Sequence, residues 1–393
     1  MAHALSMLLL GLAALGIGLI AVQITYAVRH VRKTAPEPTR FPGISILKPL
    51  CGVDDRLVEN LEAFALLDYP NYEVLLGVET PRDEAFAVAW RIAARFPDRM
   101  RVIVQRDAPG LNPKVNQLIT LARYARHDLT VISDSNVVPP ERYLHEIAAH
   151  FENPHVGIVT HPIAGVGEST WGSLLDNVHL SVSIAPGMIA ANGIAGEPLV
   201  VGKSMAFRRE DLRAIGGFHA LKDVLAEDFV MGRRIATSGK RIVVAHRPIV
   251  NVSCARTLRS FYDRYVRWAV LQRTTVGLTT YTVSLVLHPL PLACAAVMLA
   301  PERFALNAAL AIVALKLALE TYGLNAVRRG AFPWRSVLAL PLKDATLVAA
   351  WGAGLVRTHV CWRGRRLRVV AGTRLLPLTP DESAQLTPER NGA

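Results

Sequence analysis

Apolar residues run almost without interruption from Met7 to Val28, mostly Leu, Ala, Gly, Ile and Val. About 20 such residues in a helix cross the hydrocarbon core of a bilayer, so this run predicts a transmembrane anchor. No basic segment precedes it, and Arg29, Arg32 and Lys33 follow it. That order sets it apart from a cleavable signal peptide and predicts a cytoplasmic carboxyl end. Pro36, Pro38 and Pro42 then form a short spacer.

From Ile44 to about Arg241 the pattern changes to short apolar runs alternating with helical periodicity. Ile44–Leu47, Tyr72–Val78, Val102–Gln105, Leu129–Ser133 and Val156–Thr160 read as strands. Between them, Leu57, Leu61, Phe64 and Leu67 share a helix face that Asp54 and Asp55 would start. Glu84–Phe96, Pro113–Arg126 and Pro140–Phe151 read as further helices. Such alternation implies an α/β domain with a mostly parallel sheet covered on both faces. No Gly-x-Gly-x-x-Gly turn follows the first strand, so the usual dinucleotide fingerprint is missing.

Beyond Arg273 the chain is apolar again. Val276–Ala300 and Phe304–Tyr322 are long enough to span, whereas Val337–Val356 carries Pro341, Lys343 and Asp344 and reads as an interfacial helix, with a third C-terminal span as the alternative. Arg328–Arg329 and the Arg357–Arg368 stretch should both lie in the cytoplasm, which three spans in all would satisfy. The resulting division is an anchor over 1–30, a cytosolic domain over 31–273, a membrane region over 274–358 and a basic tail over 359–393.

Composition agrees with this picture. The 393 residues are 51% hydrophobic and carry a net charge of +12, and the mean hydropathy is +0.27. A nucleic-acid binder is disfavoured because the basic residues sit beside apolar runs, where anionic lipid would meet them. Cys51, Cys254, Cys294 and Cys361 are too scattered for a metal motif or a disulfide framework.

Four segments carry candidate chemistry, and each has a bland alternative. Asp134 ends a buried strand, followed by Ser135 and Asn136. Ligands of open parallel sheets bind at that edge, and two hard oxygens there suit a divalent cation; an Asx turn explains the pair equally well. Lys114 follows Asn112-Pro113 in a helix's first turn, where phosphate is favoured; a solvated lysine is the alternative. Glu227 and Asp228 lie between apolar residues, as a general base or as a helix-start pair. Arg264 and Arg267 share a helix face with Trp268 close by, as a diphosphate clamp or a membrane belt.

In order and spacing, the four together resemble the ceramide glucosyltransferase branch of the family-2/21 (GT-A) glycosyltransferases, which includes bacterial hopanoid-biosynthesis enzymes. Asp134 matches the family's second aspartate, Asp228 the third, and Arg264–Trp268 its Gln/Arg-x-x-Arg-Trp box. Ile46–Asp54, Leu67–Leu75, Asn112–Lys114, Val201–Met205 and Trp362–Arg368 also resemble that branch. The first aspartate is missing: Thr80 stands where it is expected, with Glu79 and Asp83 as the nearest replacements.

The resemblance implies a GT-A domain flanked by transmembrane helices, at a bacterial inner membrane with the domain facing the cytoplasm. It implies inverting transfer of glucose or N-acetylglucosamine from a UDP-sugar onto a lipid hydroxyl, of ceramide or a hopanoid. Asp228 would be the base. Asp134 and Asn136 would hold Mg²⁺ or Mn²⁺, while Glu79 or Asp83, Lys114 and Asp134 bind the donor. Arg264 and Arg267 would stabilise the leaving diphosphate, with Trp268 near the acceptor. A processive polysaccharide synthase or a non-catalytic membrane scaffold are the alternatives.

Overall fold

The computed structural model describes residues 1–330, 334–362 and 365–378. Within them the strand–helix alternation forms as expected. After helix α1 (Ala2–Val31), the chain runs β1 (Ile44–Pro49), α2 (Leu57–Ala65), β2 (Tyr72–Val78), α3 (Glu84–Arg95), β3 (Met100–Val104), α4 (Pro113–Tyr124) and β4 (Leu129–Ser133). Next come β5 (Val137–Val138), α5 (Tyr143–Phe151), β6 (Val156–Thr160) and β7 (Ile163–Val166). Helices α6 (Trp171–His179) and α7 (Ala185–Gly193) follow, joined by a π-helical turn. Then β8 (Ser204–Arg208), α8 (Arg209–Ala214), α9 (Glu227–Thr237), β9 (Arg241–Val244) and β10 (Ile249–Val252) complete the domain.

The central sheet has seven strands in the order β3-β2-β1-β4-β8-β6-β9. The first four are mutually parallel, while β8 runs antiparallel to both of its neighbours. Alternate residues of one strand enter opposite cores, as the pleat requires. Ile46, Val74 and Val131 join Phe64 and Ile147 on one face, whereas Leu47, Leu75 and Ile132 join Leu118 and Ile235 on the other. Because β4 lies on the opposite side of β1 from β2, the strand order reverses between β1 and β4. The carboxyl ends of those two strands therefore border the crevice where such sheets bind ligands.

One local expectation fails. Asp54 and Asp55 do not start α2, which begins after Arg56 in a left-handed conformation. Their carboxylates are used elsewhere: Asp55 accepts the Cys254 N–H at 2.6 Å, and Asp54 accepts the Ser135 hydroxyl.

The remaining helices are α10 (Leu258–Val283), α11 (Pro289–Leu299), α12 (Arg303–Arg328) and α13 (Arg335–Val356). Among the described residues, three helical segments are long and apolar enough to cross a membrane: Ala2–Val31, Trp171–Gly193 and Arg303–Arg328. The apolar stretch Val276–Ala300 is broken rather than straight. Gly277 leaves the helix with φ 80°, Pro289 starts a new helix, and the two arms meet at 77°. Trp171–Gly193, which periodicity did not single out, has 78% of its apolar window buried inside the protein. Lys343 and Asp344 of α13 face no water. They are buried against Lys316 and Glu320 of α12, with Lys316 Nζ 2.8 Å from Asp344 and Lys343 Nζ 2.9 Å from Glu320.

The chain closes with a small antiparallel sheet of β11 (His359–Trp362), β12 (Arg365–Val370) and β13 (Arg374–Pro377). It braces the loop that leads into α9. The Leu225 N–H donates to Thr373 O at 2.8 Å, the Ala226 N–H to Thr373 Oγ1 at 3.4 Å, and the Leu375 N–H to Asp223 O at 2.7 Å. Arg363 of the predicted basic tail, and residues 379–393, lie outside the described residues.

Candidate active site

Strand β4 delivers Asp134 to the crevice between β1 and β4. The aspartate caps no helix, since α5 begins after Arg142 without a side-chain cap. Instead its two oxygens meet two ammonium groups: Oδ1 lies 3.0 Å from Lys114 Nζ and Oδ2 lies 3.2 Å from Lys203 Nζ. Burial would raise this carboxyl, but the two lysines outweigh burial and hold it well below the usual carboxylate range. Asp134 is thus a permanent anion.

Lys114 is the hub. Helix α4 starts cleanly because the Asn112 side chain accepts the Val115 N–H at 3.0 Å and Pro113 occupies the first turn. That start aims Lys114 into the site, where Nζ also lies 3.0 Å from Glu227 Oε1 and 3.3 Å from Gly202 O. Burial disfavours its charge, but Asp134 and Glu227 together hold the ammonium well above its ordinary value.

Asp228 stands in the first turn of α9. Its Oδ2 accepts the Gly202 N–H at 2.6 Å and its Oδ1 accepts the Phe229 N–H at 2.8 Å. Gly202 leaves room for both: a Cβ would lie 2.9 Å from Asp228 Oδ2 and 3.1 Å from Lys114 Nζ, so these two side chains would have to give way. Despite those donors, burial and then the neighbouring Glu227 charge push the Asp228 carboxyl up to about 6. The two site aspartates therefore differ in kind: one always ionised, one poised to exchange a proton near neutrality.

Arg264 of α10 lies beside α6. It is 3.6 Å from the fully buried Asp176 of α6, which also pairs with Arg256 at 3.1 Å and accepts the Tyr265 hydroxyl at 2.7 Å. Its guanidinium lies 5.3 Å from the centre of the Trp268 ring. Burial lowers the Lys203 ammonium, and Arg264 lowers it further against the pull of Asp134, which places Arg264 within electrostatic reach of the same cluster. Arg267 and Trp268 are half-buried along the same helix.

The two candidates for the missing first acid separate. Asp83 is engaged, with Oδ1 accepting the Ala85 N–H and the Gly52 N–H, each at 2.9 Å. Glu79 leaves β2 with its side chain 41% exposed and meets Arg365 of the C-terminal sheet at 3.4 Å.

The oxygens expected to hold a metal do converge on a cation. Lys203 Nζ sits between Asn136 Oδ1, at 2.7 Å, and Asp134 Oδ2, at 3.2 Å. An ammonium held by an amide oxygen and a carboxylate is a stand-in for the hard-oxygen environment that suits Mg²⁺ or Mn²⁺, so the residues present fit such an ion.

Several participants escaped the sequence reading. Lys48 is wholly buried in β1 and donates to Asp134 O at 2.7 Å and to Ser133 Oγ at 3.1 Å. It lies 3.6 Å above the Phe64 ring, and burial pushes its ammonium down to about 7. Lys203 and Asp176 were likewise not singled out, and Asp54 was read only as a helix start. At Lys48 the available signal was a charged residue inside a mostly apolar strand, whereas Asp176 lies in a helix with Ser173, Asn177 and His179 and gave no such signal.

Comparison with known proteins bears on the family and the fold. The chain is 27% identical over 249 residues to ceramide glucosyltransferase 1 of Caenorhabditis elegans, covering 63% of this chain and 53% of that protein. It is 30% identical over 203 residues to ceramide glucosyltransferase of Komagataella phaffii, covering 46% of this chain and 40% of that protein. The chain thus spans about half the length, or less, of these relatives. Among solved structures it resembles the mannosyltransferase PcManGT from Pyrobaculum calidifontis, in complex with GDP-Man and Mn²⁺. The TM-score is 0.51 at 22% identity, over 91% of this chain and 99% of that one, which identifies the GT-A fold. The model of glycosyl transferase family 21 matches residues 8–375 and so runs through every element of the site. The chain belongs to glycosyl transferase family 21.

Proposed function

We propose that the chain is a membrane-bound inverting glycosyltransferase that moves glucose or N-acetylglucosamine from a UDP-sugar onto the hydroxyl of a lipid, ceramide or a hopanoid. One observation carries the reading. Lys114 ties the ionised Asp134 at the sheet's switch point to the acidic pair that contains Asp228, and Asp228 has the raised proton affinity of a base. A lipid acceptor is supported by Arg264 and Trp268, whose helix leads on to the apolar helix α11. The ceramide glucosyltransferases among the relatives support the same acceptor class. We place the anchor at 1–30 and the catalytic domain, 31–273, on the cytoplasmic face. The membrane region is 274–358 and the basic tail 359–393.

In this reading the ionised Asp228 takes the proton from the acceptor hydroxyl as its oxygen bonds to the anomeric carbon. The bond from that carbon to the phosphate oxygen breaks, and its electrons leave with UDP. Lys114, Lys203, Arg264 and Arg267 surround the growing negative charge. Asp134 and Asn136 would hold Mg²⁺ or Mn²⁺ only with the Lys203 ammonium moved aside, and the ion would neutralise diphosphate charge. Glu79 contacts the nucleoside in place of the first aspartate, while Asp83 shapes the loop.

The test is transfer itself. Purified protein with radiolabelled UDP-glucose or UDP-N-acetylglucosamine, and with ceramide or hopanoid acceptors, should move label into the organic phase. No transfer to any lipid would sink the proposal, and products with many sugars would favour a processive synthase.

Acidity supplies a second check. The base must be ionised, so kcat/KM should fall as pH drops through about 6. The same raised value has the opposite sense for stability: its contribution is present below the ordinary carboxyl value and is lost as pH rises through about 6. Glu227→Gln removes one cause of the rise, so the acid limb should move to lower pH. A limb that stays in place would contradict the assignment.

Two further outcomes follow. Glu79→Ala should raise the KM for donor roughly ten- to hundredfold with a smaller change in kcat, as expected when a charge-assisted hydrogen bond is lost from ground and transition state alike. A chain stopped after Thr358 loses the hydrogen bonds that brace residues 223–226. At roughly 1 kcal/mol each, their loss should lower kcat about ten- to hundredfold, with helix content by circular dichroism retained apart from the missing segment.

A further inference from the structure

Away from the crevice, Glu146 of α5 is surrounded by imidazoles. Its side chain is 1% exposed. Oε1 lies 3.0 Å from His246 Nδ1 and accepts the His246 N–H at 2.5 Å. His150, one turn along α5, places Nε2 3.8 Å from the same oxygen. One donor atom from each of Glu146, His150 and His246 lies within 4.8 Å of the others. A tetrahedral site with metal–ligand bonds of about 2.0–2.2 Å sets its donor atoms about 3.4 Å apart, inside the range seen here.

A hydrogen-bonded Glu–His pair is the simpler explanation, and it leaves too much unmade. Glu146 Oε2 and His150 Nε2 are both buried without a hydrogen-bond partner, whereas buried polar atoms are almost always satisfied. Two imidazoles and a carboxylate are also the donor set of an open zinc site, with one position left for water.

We propose that Glu146, His150 and His246 bind a divalent transition ion of the zinc class, separate from any ion at Asp134. Binding removes the proton from His246 Nδ1 and leaves that nitrogen, His150 Nε2 and a Glu146 oxygen as ligands. The ion sits at the junction between the anchor helix and the catalytic domain. His30, near the end of α1, stacks on His246 with ring centroids 4.8 Å apart, and its Nε2 lies 3.1 Å from Ala245 O. A metal that fixes the His246 ring therefore also fixes the seat of α1.

The test uses the untagged full chain in detergent, stripped by chelator, with excess Mg²⁺ to saturate hard-oxygen sites. Titrated Co²⁺ should bind one ion per chain with tetrahedral-type visible absorption, and Zn²⁺ should displace it and raise the thermal unfolding temperature. Glu146→Gln and His150→Ala should each weaken Co²⁺ binding about 100-fold or more, since even outer-shell changes cost 10–100-fold. Asp134→Asn should leave the absorption intact. A wild-type spectrum identical to free Co²⁺ would overturn the proposal whether or not the variants fold. So would an unchanged affinity in both Glu146→Gln and His150→Ala, or loss of the absorption in Asp134→Asn.

Discussion

Asp228→Asn should lower kcat by about 10²–10⁴, the range that a positioned general base contributes, while UDP still binds. Asparagine keeps the shape of the side chain, and its amide oxygen can still accept the Phe229 N–H that Asp228 holds at 2.8 Å. It cannot take a proton from an acceptor hydroxyl. It also turns an amide nitrogen toward the Gly202 N–H that the carboxylate accepts at 2.6 Å, a smaller loss that affects stability more than chemistry. Steady-state kinetics with calorimetric UDP binding separates the two effects. A fall in kcat with little change in UDP affinity is expected; an unaltered kcat would remove Asp228 from the mechanism.

Lys114→Gln should be as damaging for a different reason. Its ammonium is within 3.0 Å of both Asp134 and Glu227, and it also draws down the Asp228 carboxyl. Without it, the adjacent Glu227 and Asp228 lose their nearest ammonium, and Asp134 keeps only Lys203 as an ion-pair partner. Breaking a buried pair from one side costs about 3–5 kcal/mol, so the variant should inactivate at a markedly lower temperature. The Asp228 carboxyl should rise further, moving the acid limb of activity upward. Adding Glu227→Gln removes one stranded charge and should recover part of the lost stability. A double variant no more stable than the single one would show that Lys114 acts by packing alone.

The sheet was legible because strands buried on both faces leave a plain trace. In β1, β2 and β4 every residue is buried, and such strands read as continuous apolar runs bounded by turns. Helix boundaries were less exact: Asp54 and Asp55 look like caps, yet their carboxylates bridge to Ser135 and to the Cys254 backbone N–H, contacts that local sequence does not encode. Asp134, Lys114, Asp228 and Arg264 were found through spacing and resemblance. Asp134 alone had an equally good bland explanation and the other three a better one, and only the crevice brings them together. Lys203 and Asp176 were missed because their function is to neutralise other charges. Lys203 bridges Asp134 and Asn136, and Asp176 gathers Arg256, Arg264 and Tyr265. Such partners are defined by tertiary contact alone. The bend at Gly277 and Pro289 was hidden for a related reason, since hydropathy reports apolar length and not backbone direction.

The account rests on a single displacement at the anomeric carbon, with Asp228 preparing the acceptor. The configuration of the product tests it most directly. Wild-type protein supplied with an α-linked UDP-sugar and a lipid acceptor should yield a glycolipid carrying one β-linked sugar, read from the anomeric proton coupling by NMR. An α-linked product, or no glycolipid from any acceptor and donor pair, would contradict the account.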